Sequence, residues 1–159
     1  MWADAFAKAT NEKASEMSPS RSNHIKLSRT DALHLWHGVM LDGVTGADPD
    51  LSPRQMAILT TVYLSEGPHT VRSLARNLGV TKAVVTRALD TLAGHDYLAR
   101  AQDPRDGRSV IILGTPKGQN YLFKLGDTIA QTLRIVQIKT VRASKRASGV
   151  RVQEVEAIG

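Results

Sequence analysis

Apolar side chains first recur at a sustained helical spacing over residues 28–44. Leu33, Trp36 and Met40 lie three and four positions apart, so that a helix places them on one face. Ser28 stands where an N-cap is expected, because its hydroxyl can accept a hydrogen bond from a free amide of the first turn. The pattern therefore predicts a first helix over 28–44.

Start signals predict the next three helices. Ser52-Pro53 begins the second, since serine caps a helix and proline fits its first turn. Thr70 and Thr81 are the expected caps of the third and fourth helices, and a short turn at Gly79 separates these two. Two short helices joined by such a turn are typical of a helix-turn-helix.

The apolar period changes after the fourth helix. Residues 97–101 and 109–113 are predicted strands, and the segment 103–107 between them has a proline and a glycine at turn positions. A β-hairpin is therefore predicted here. A last helix is predicted over 115–138, with apolar residues at every third or fourth position: Leu122, Leu125, Ile129, Leu133 and Val136.

The two ends of the chain lack such a stripe. Residues 1–27 are rich in alanine, serine and charged side chains, and we expect a flexible arm there. Residues 139–151 hold five basic side chains and no acidic one, so 139–159 is predicted as a basic flexible tail. The fold class expected for 28–138 is mainly α with a small β-hairpin wing, a winged helix-turn-helix with helices at both ends.

Composition and charge narrow the function. The chain has 159 residues, with Lys plus Arg at 21 and Asp plus Glu at 15, which gives a formal net charge of +6. Such a balance favours polyanionic partners, with nucleic acid first among them. The sequence contains no cysteine, which excludes disulfides, thiolate metal sites and thiol redox sensing. We find neither a signal peptide nor a membrane-spanning stretch, so we expect a cytoplasmic protein without a membrane partner.

The predicted helix-turn-helix carries the candidate DNA contacts. Its first helix supports the second, which projects side chains into a DNA major groove. Arg87 on the second helix has the geometry to bind a guanine edge. Arg105 at the hairpin tip is placed to enter the minor groove. The predicted DNA-binding residues are Arg72, Ser73, Thr81, Lys82, Ala83, Thr86, Arg87, Arg105 and Arg108.

The hairpin carries a resemblance to a known family. The run 103–108, Asp-Pro-Arg-Asp-Gly-Arg, matches the D-x-R-D-x-R wing signature of the MarR family of winged helix-turn-helix regulators. As in that family, a strand follows, and then a Thr-x-x-Gly helix start at Thr115. The order of predicted elements is also similar, and the resemblance covers about residues 28–137.

The resemblance implies a homodimer that binds pseudo-palindromic double-stranded DNA, with one recognition helix in each half-site. Terminal helices would form the dimer interface, here 28–44 and 115–138. The apolar stripe of the last helix agrees, because one winged domain is too small to cover it. We predict a sequence-specific transcriptional regulator that represses its promoter, is not an enzyme and needs no cofactor.

Two alternative functions stay open. An architectural protein would bind DNA with little sequence preference and a steep dependence on salt. A winged-helix protein-interaction module would dock a partner protein instead. Arg87 and Arg105 could then be lost without loss of DNA binding.

The resemblance also implies a small aromatic effector, since many family members bind phenolic anions between the dimer helices and the DNA lobe. The candidate pocket residues, which would equally fill a core without any ligand, are Trp36, His37, Met40, Arg54 and Tyr63.

Two further groups of polar residues have simpler interpretations. His34 and His37 lie three positions apart, a spacing that permits metal binding, but we interpret them as a surface or interface pair and predict no metal. Asp103 or Asp106 is expected to pair with Arg108 and stiffen the hairpin, and the two acids are not a catalytic pair.

Overall fold

The computed structural model describes residues 27–147. This part of the chain forms the helices α1 (Arg29–Thr45), α2 (Pro53–Leu64), α3 (Val71–Leu78), α4 (Lys82–Gly94) and α5 (Pro116–Ala147), and the strands β1 (Leu98–Asp103) and β2 (Asp106–Gly114). The predicted fold class, mainly α with a β-hairpin wing, is confirmed. None of these helices is long and apolar enough to cross a membrane. Residues 1–26 and 148–159, which hold most of the predicted arm and part of the predicted tail, lie outside the described residues.

The helices begin at their predicted start signals. Ser28, Ser52 and Thr70 each accept a hydrogen bond from the amide three residues on, and the side chain of that residue accepts one from the cap amide. This capping box satisfies amides that the start of a helix leaves free. Thr81 caps α4 by accepting a hydrogen bond from the Val84 amide, without the reciprocal side-chain bond. The turn between α3 and α4 is at Gly79, whose φ of 64° is a left-handed conformation that costs glycine little.

The hydrophobic core lies where α2, α3, α4 and the base of the hairpin meet. Ile58 of α2, Leu74 of α3 and Leu92 of α4 are completely buried in it. Burial of each such side chain contributes about 1.5–3 kcal/mol, so these helices form one packed unit. The residues that pack α3 against α4 are all buried or partly buried: Leu74, Ala75, Leu78, Val80, Val85 and Leu89.

Tyr63 connects α2 to the hairpin and to the start of α5. Its hydroxyl lies 3.0 Å from the carbonyl oxygen of Tyr97 and 2.7 Å from that of Thr115, and it accepts a 2.7 Å hydrogen bond from the Thr115 amide. The Thr115 hydroxyl donates to the Asp96 carbonyl at 2.6 Å and accepts from the Gly118 amide at 3.0 Å, as an N-cap does. A Cβ at position 118 would overlap the Tyr97 carbonyl and the Tyr63 hydroxyl, so the Thr-x-x-Gly start needs its glycine.

The hairpin is longer than its apolar residues indicate. Its antiparallel register runs from Leu98 opposite Gly114 to Asp103 opposite Asp106, so that Pro104 and Arg105 alone form the turn. The predicted strands stop short of the turn because the polar residues beside it carry no apolar signal. Backbone pairing extends the ladder through them.

Helices α1 and α5 pack against each other in antiparallel orientation. Asp42 accepts a 3.1 Å hydrogen bond from Thr128, and Asp31 accepts one of 2.8 Å from Thr140 near the other end of α1. Between these two contacts, Gly38 lets the helices approach closely, because a Cβ there would lie 2.7 Å from a threonine methyl of α5. No residue of α1 is buried within the protomer.

The last helix does not end at residue 138 as predicted. It continues to Ala147, so the prediction of a flexible tail is wrong for residues 139–147. Lysine, arginine and alanine sustain a helix through their intrinsic propensity even without an apolar stripe. The Thr140 contact with Asp31 also holds this part of α5 against α1.

We predict that Tyr63→Phe destabilises the protein by about 1–3 kcal/mol, because it leaves the buried Thr115 amide without its acceptor. Urea denaturation followed by circular dichroism measures the free energy of unfolding. Tyr121→Phe is the matched control, since it keeps the ring that stacks on Tyr97 at 4.7 Å between centroids. Equal unfolding midpoints for the two variants would contradict the role assigned to the Tyr63 hydroxyl.

Candidate nucleic-acid interface

Helix α4 has one buried side and one exposed side. Val85, Ala88, Leu89 and Leu92 face the core, where each is at most 7% exposed. The opposite side has short polar and basic side chains that stand clear of the core. All five candidate contacts on and before this helix are exposed: Thr81, Lys82, Ala83, Thr86 and Arg87.

The two candidates on α3 have different surroundings. Arg72 is exposed. Ser73 is only half-exposed, and its hydroxyl donates to the Thr70 carbonyl at 3.0 Å while accepting from the Thr70 amide at 2.9 Å. The structure therefore gives Ser73 a capping function, and DNA contact by this residue stays a prediction.

The acidic residues of the hairpin hold its backbone. Asp103 accepts a 2.9 Å hydrogen bond from the amide of Arg105, and Asp106 accepts one of 3.1 Å from the amide of Arg108. Asp106 also accepts a 2.7 Å bond from the Ser109 hydroxyl, which lowers the pKa of Asp106 below its ordinary value. The expected stiffening by an Asp106–Arg108 contact is present, but it goes through the backbone amide. Both arginine side chains are exposed at the tip.

An ion pair joins α4 to the hairpin. Arg100 of β1 donates to Asp90 of α4 at 2.7 Å, with the two side chains 39% and 56% exposed. A pair this accessible contributes about 0–1 kcal/mol, so it orients the hairpin more than it stabilises the fold. Sequence reasoning missed it, because residues ten positions apart on a helix and a strand have no shared periodicity.

The surface around α4 carries a positive charge. Residues 68–117 contain eight basic and four acidic side chains, a balance of +4. Asp90 is paired with Arg100, and Asp103 and Asp106 hold backbone amides. Three of the four acidic side chains are thus bound locally, and exposed arginines and Lys82 present the excess positive charge to solvent.

Comparison with known proteins agrees with this geometry. Residues 51–110, from the start of α2 to the middle of β2, match the MarR family. The predicted resemblance to the MarR family is confirmed over this segment, and the relatives it matches include transcriptional regulators.

The sequence relative YkoM of Bacillus subtilis, an uncharacterized HTH-type transcriptional regulator, is 35% identical over 74 residues, which are 46% of this chain and 47% of YkoM. This chain thus spans about half the length of that relative. The transcriptional regulator Tm0710 of Thermotoga maritima has a TM-score of 0.56 at 26% identity, with 75% of this chain and 89% of Tm0710 covered. The structure of an S. aureus MepR–DNA complex has a TM-score of 0.52 at 17% identity, with 91% and 99% covered, and shares the fold.

The five candidate effector residues do not line one cavity. His37 lines a groove of about 470 Å³ between α1 and α5, whereas Arg54 lines a separate depression beside α4. Tyr63 is buried, and its hydroxyl is bound to the core backbone. Trp36 and Met40 are exposed on α1. The aromatic effector stays a prediction.

The groove between α1 and α5 also holds His34, so both histidines of the predicted pair lie at one surface. Within residues 27–147, no group of three or more acidic or histidine side chains is arranged to hold a metal ion. The structure therefore gives the pair no further ligand in the described part of the chain.

Helices α1 and α5 expose several large apolar side chains. Trp36 is 64% exposed, Ile138 51% and Val141 53%. Large exposed apolar patches are typical of interaction sites. The exposed members of this set are Leu33, Trp36, Met40, Leu41 and Val44 on α1 and Ile129, Ile135, Ile138 and Val141 on α5.

The hydrogen bonds of Asp106 make the wing sensitive to acid. Because its pKa is lowered in the fold, the contribution of Asp106 is present above the ordinary value of 3.8 and is lost as the pH falls through the folded pKa. We predict that the backbone amide signals of Arg108 and Ser109 shift in NMR spectra with a midpoint below 3.8. Asp106→Asn should abolish this transition, and a wild-type midpoint above 3.8 would contradict the contact.

Proposed function

We propose that this protein is a sequence-specific regulator that binds double-stranded DNA as a homodimer and represses transcription by occupying its operator. The exposed side of α4 carries the proposal: small, polar and basic side chains cover the second helix of a helix-turn-helix. Large apolar residues there would prevent close approach to base edges and phosphates, and the one acid of the helix, Asp90, is paired with Arg100. The relation to transcriptional regulators and the fold shared with a protein solved in complex with DNA support the same function.

The contacts divide into two classes by chemistry. Arg87 projects from the middle of α4 and would form a bidentate bond to a guanine edge, which contributes about 1–3 kcal/mol of discrimination. Arg105 at the hairpin tip would enter the flanking minor groove, where a narrow groove concentrates negative potential. Thr81 and Lys82 at the start of α4, with Arg72 and Arg108 beside it, would hold phosphates and set the register.

The exposed apolar side chains of α1 and α5 support the proposed homodimer. A second copy would cover the same face by two-fold symmetry and would place two copies of α4 on the DNA. Major-groove contacts of such a dimer lie about one helical turn apart, so the operator would be pseudo-palindromic.

The first test is selection of bound sequences from fragmented genomic DNA with the purified protein. We expect a two-fold symmetric motif. The double variant Arg87→Ala/Arg105→Ala should lose it, because it removes the two side chains proposed to contact the grooves. Arg134→Ala, an exposed arginine of α5, is the matched control and should recover the wild-type motif.

Two results would overturn the function as stated. Retention of DNA without any motif would favour an architectural protein. Failure of the wild type to retain DNA would favour a protein-docking winged helix.

A second test concerns assembly. We predict that the double variant Trp36→Asp/Ile138→Asp is a monomer, whereas the wild type is a dimer. Both side chains are exposed in a single copy of the chain. At a two-fold interface each introduced carboxylate would be buried without a partner, and it would occur in both copies. Sedimentation velocity measures the mass, and circular dichroism confirms that the protomer keeps its helices. A wild type that sediments as a monomer, or a variant that stays dimeric, would contradict this interface.

A further inference from the structure

A depression beside the recognition helix is not explained by the helix-turn-helix or by the wing. It has a volume of about 180 Å³ and lies between the first turn of α2 and the exposed side of α4. Arg54 and Gln55 line it from α2, and Arg87 and Thr91 line it from α4. Arg54 had been a candidate for an effector pocket, but the fold places it next to Arg87 instead.

The charge at this depression is unbalanced. Two arginines line it, one from each helix, and its lining includes no acidic residue. The adjacent acid on α4, Asp90, is 2.7 Å from Arg100 and is thereby paired with the wing. Two arginines that converge from different helices favour an anion with several oxygen acceptors.

The attraction comes from the side chains and not from the end of α2. The amides of Ser52 and Gln55 are used in the capping box, at 2.7 and 3.3 Å, and Pro53 has no amide hydrogen. An anion at this depression would therefore be held by Arg54, which is exposed and forms no ion pair within the described part of the chain.

We propose that this depression binds a backbone phosphate of the DNA that α4 contacts, with Arg54 as the phosphate ligand. The inference rests on the proposed function and extends its interface to α2. Because Arg87 also lines the depression, a duplex that places a base edge at Arg87 would bring its sugar–phosphate chain toward α2. Phosphate contacts of this kind fix the position of a protein on the duplex and carry no sequence information.

The test measures how affinity depends on salt. Wild type, Arg54→Ala, Arg54→Lys, Arg87→Ala and Arg134→Ala are titrated against a fluorescein-labelled random-sequence duplex and against a genomic fragment that the wild type selects. Each titration is repeated over a series of potassium chloride concentrations. Loss of one phosphate contact lowers the slope of log Kd against log salt by about 1 for each protomer bound.

We expect Arg54→Ala to weaken binding to both duplexes by the same factor and to lower the slope on both. Arg54→Lys should keep most of the slope, because the charge is retained. Arg87→Ala should instead reduce the ratio of the two affinities. Arg134→Ala should match the wild type throughout.

The outcomes separate this inference from the function it rests on. If Arg54→Ala matches Arg134→Ala while Arg87→Ala loses selectivity, the phosphate contact is wrong and the regulator function stands. If Arg54→Ala changes only the affinity ratio, Arg54 contacts bases and the inference is overturned. If it changes only binding of free inorganic phosphate, measured by calorimetry, the depression holds a free anion and the inference is again overturned. Failure of the wild type to bind either duplex overturns both.

Discussion

The hydroxyl group of Tyr63 lies where three separate parts of the chain meet. It bonds to the backbone at Tyr97, where α4 leads into the hairpin, and at Thr115, where the hairpin leads into α5. The close approach is possible because position 118 has no Cβ. The core helix α2 thereby sets both the position of the wing and the direction of the long last helix. A buried amide that loses such a partner costs about 1–3 kcal/mol, which makes this small site a constraint on the whole domain.

The local chemistry of the wing has a consequence for charge. Asp103 and Asp106 hold the amides of a two-residue turn, and Asp90 is bound to Arg100. Each of these three acids is therefore bound to a group close to it. The basic side chains Arg87, Arg105 and Arg108 stay exposed, and exposed cationic side chains favour polyanionic partners.

Much of the fold is predictable from local signals, because each signal acts over one turn of helix or one hairpin. The caps at Ser28, Ser52 and Thr70, the turn at Gly79 and the hairpin all have their causes within a few residues. The end of α5 is different. The apolar stripe weakens near residue 138, yet the helix continues, because propensity and a contact with a residue of α1 far away in sequence sustain it.

The candidate site divides in the same way. The amino-acid sequence by itself determined the helix-turn-helix, the exposed side of α4 and the wing signature, since periodicity and spacing place those residues directly. Only the tertiary structure decided that Tyr63 belongs to the core and that Asp90 pairs with Arg100. It also decided that Arg54 lies beside Arg87 and not beside Trp36. These are contacts between elements, and their partners are chosen by how helices and strands pack, which no local pattern of residues encodes.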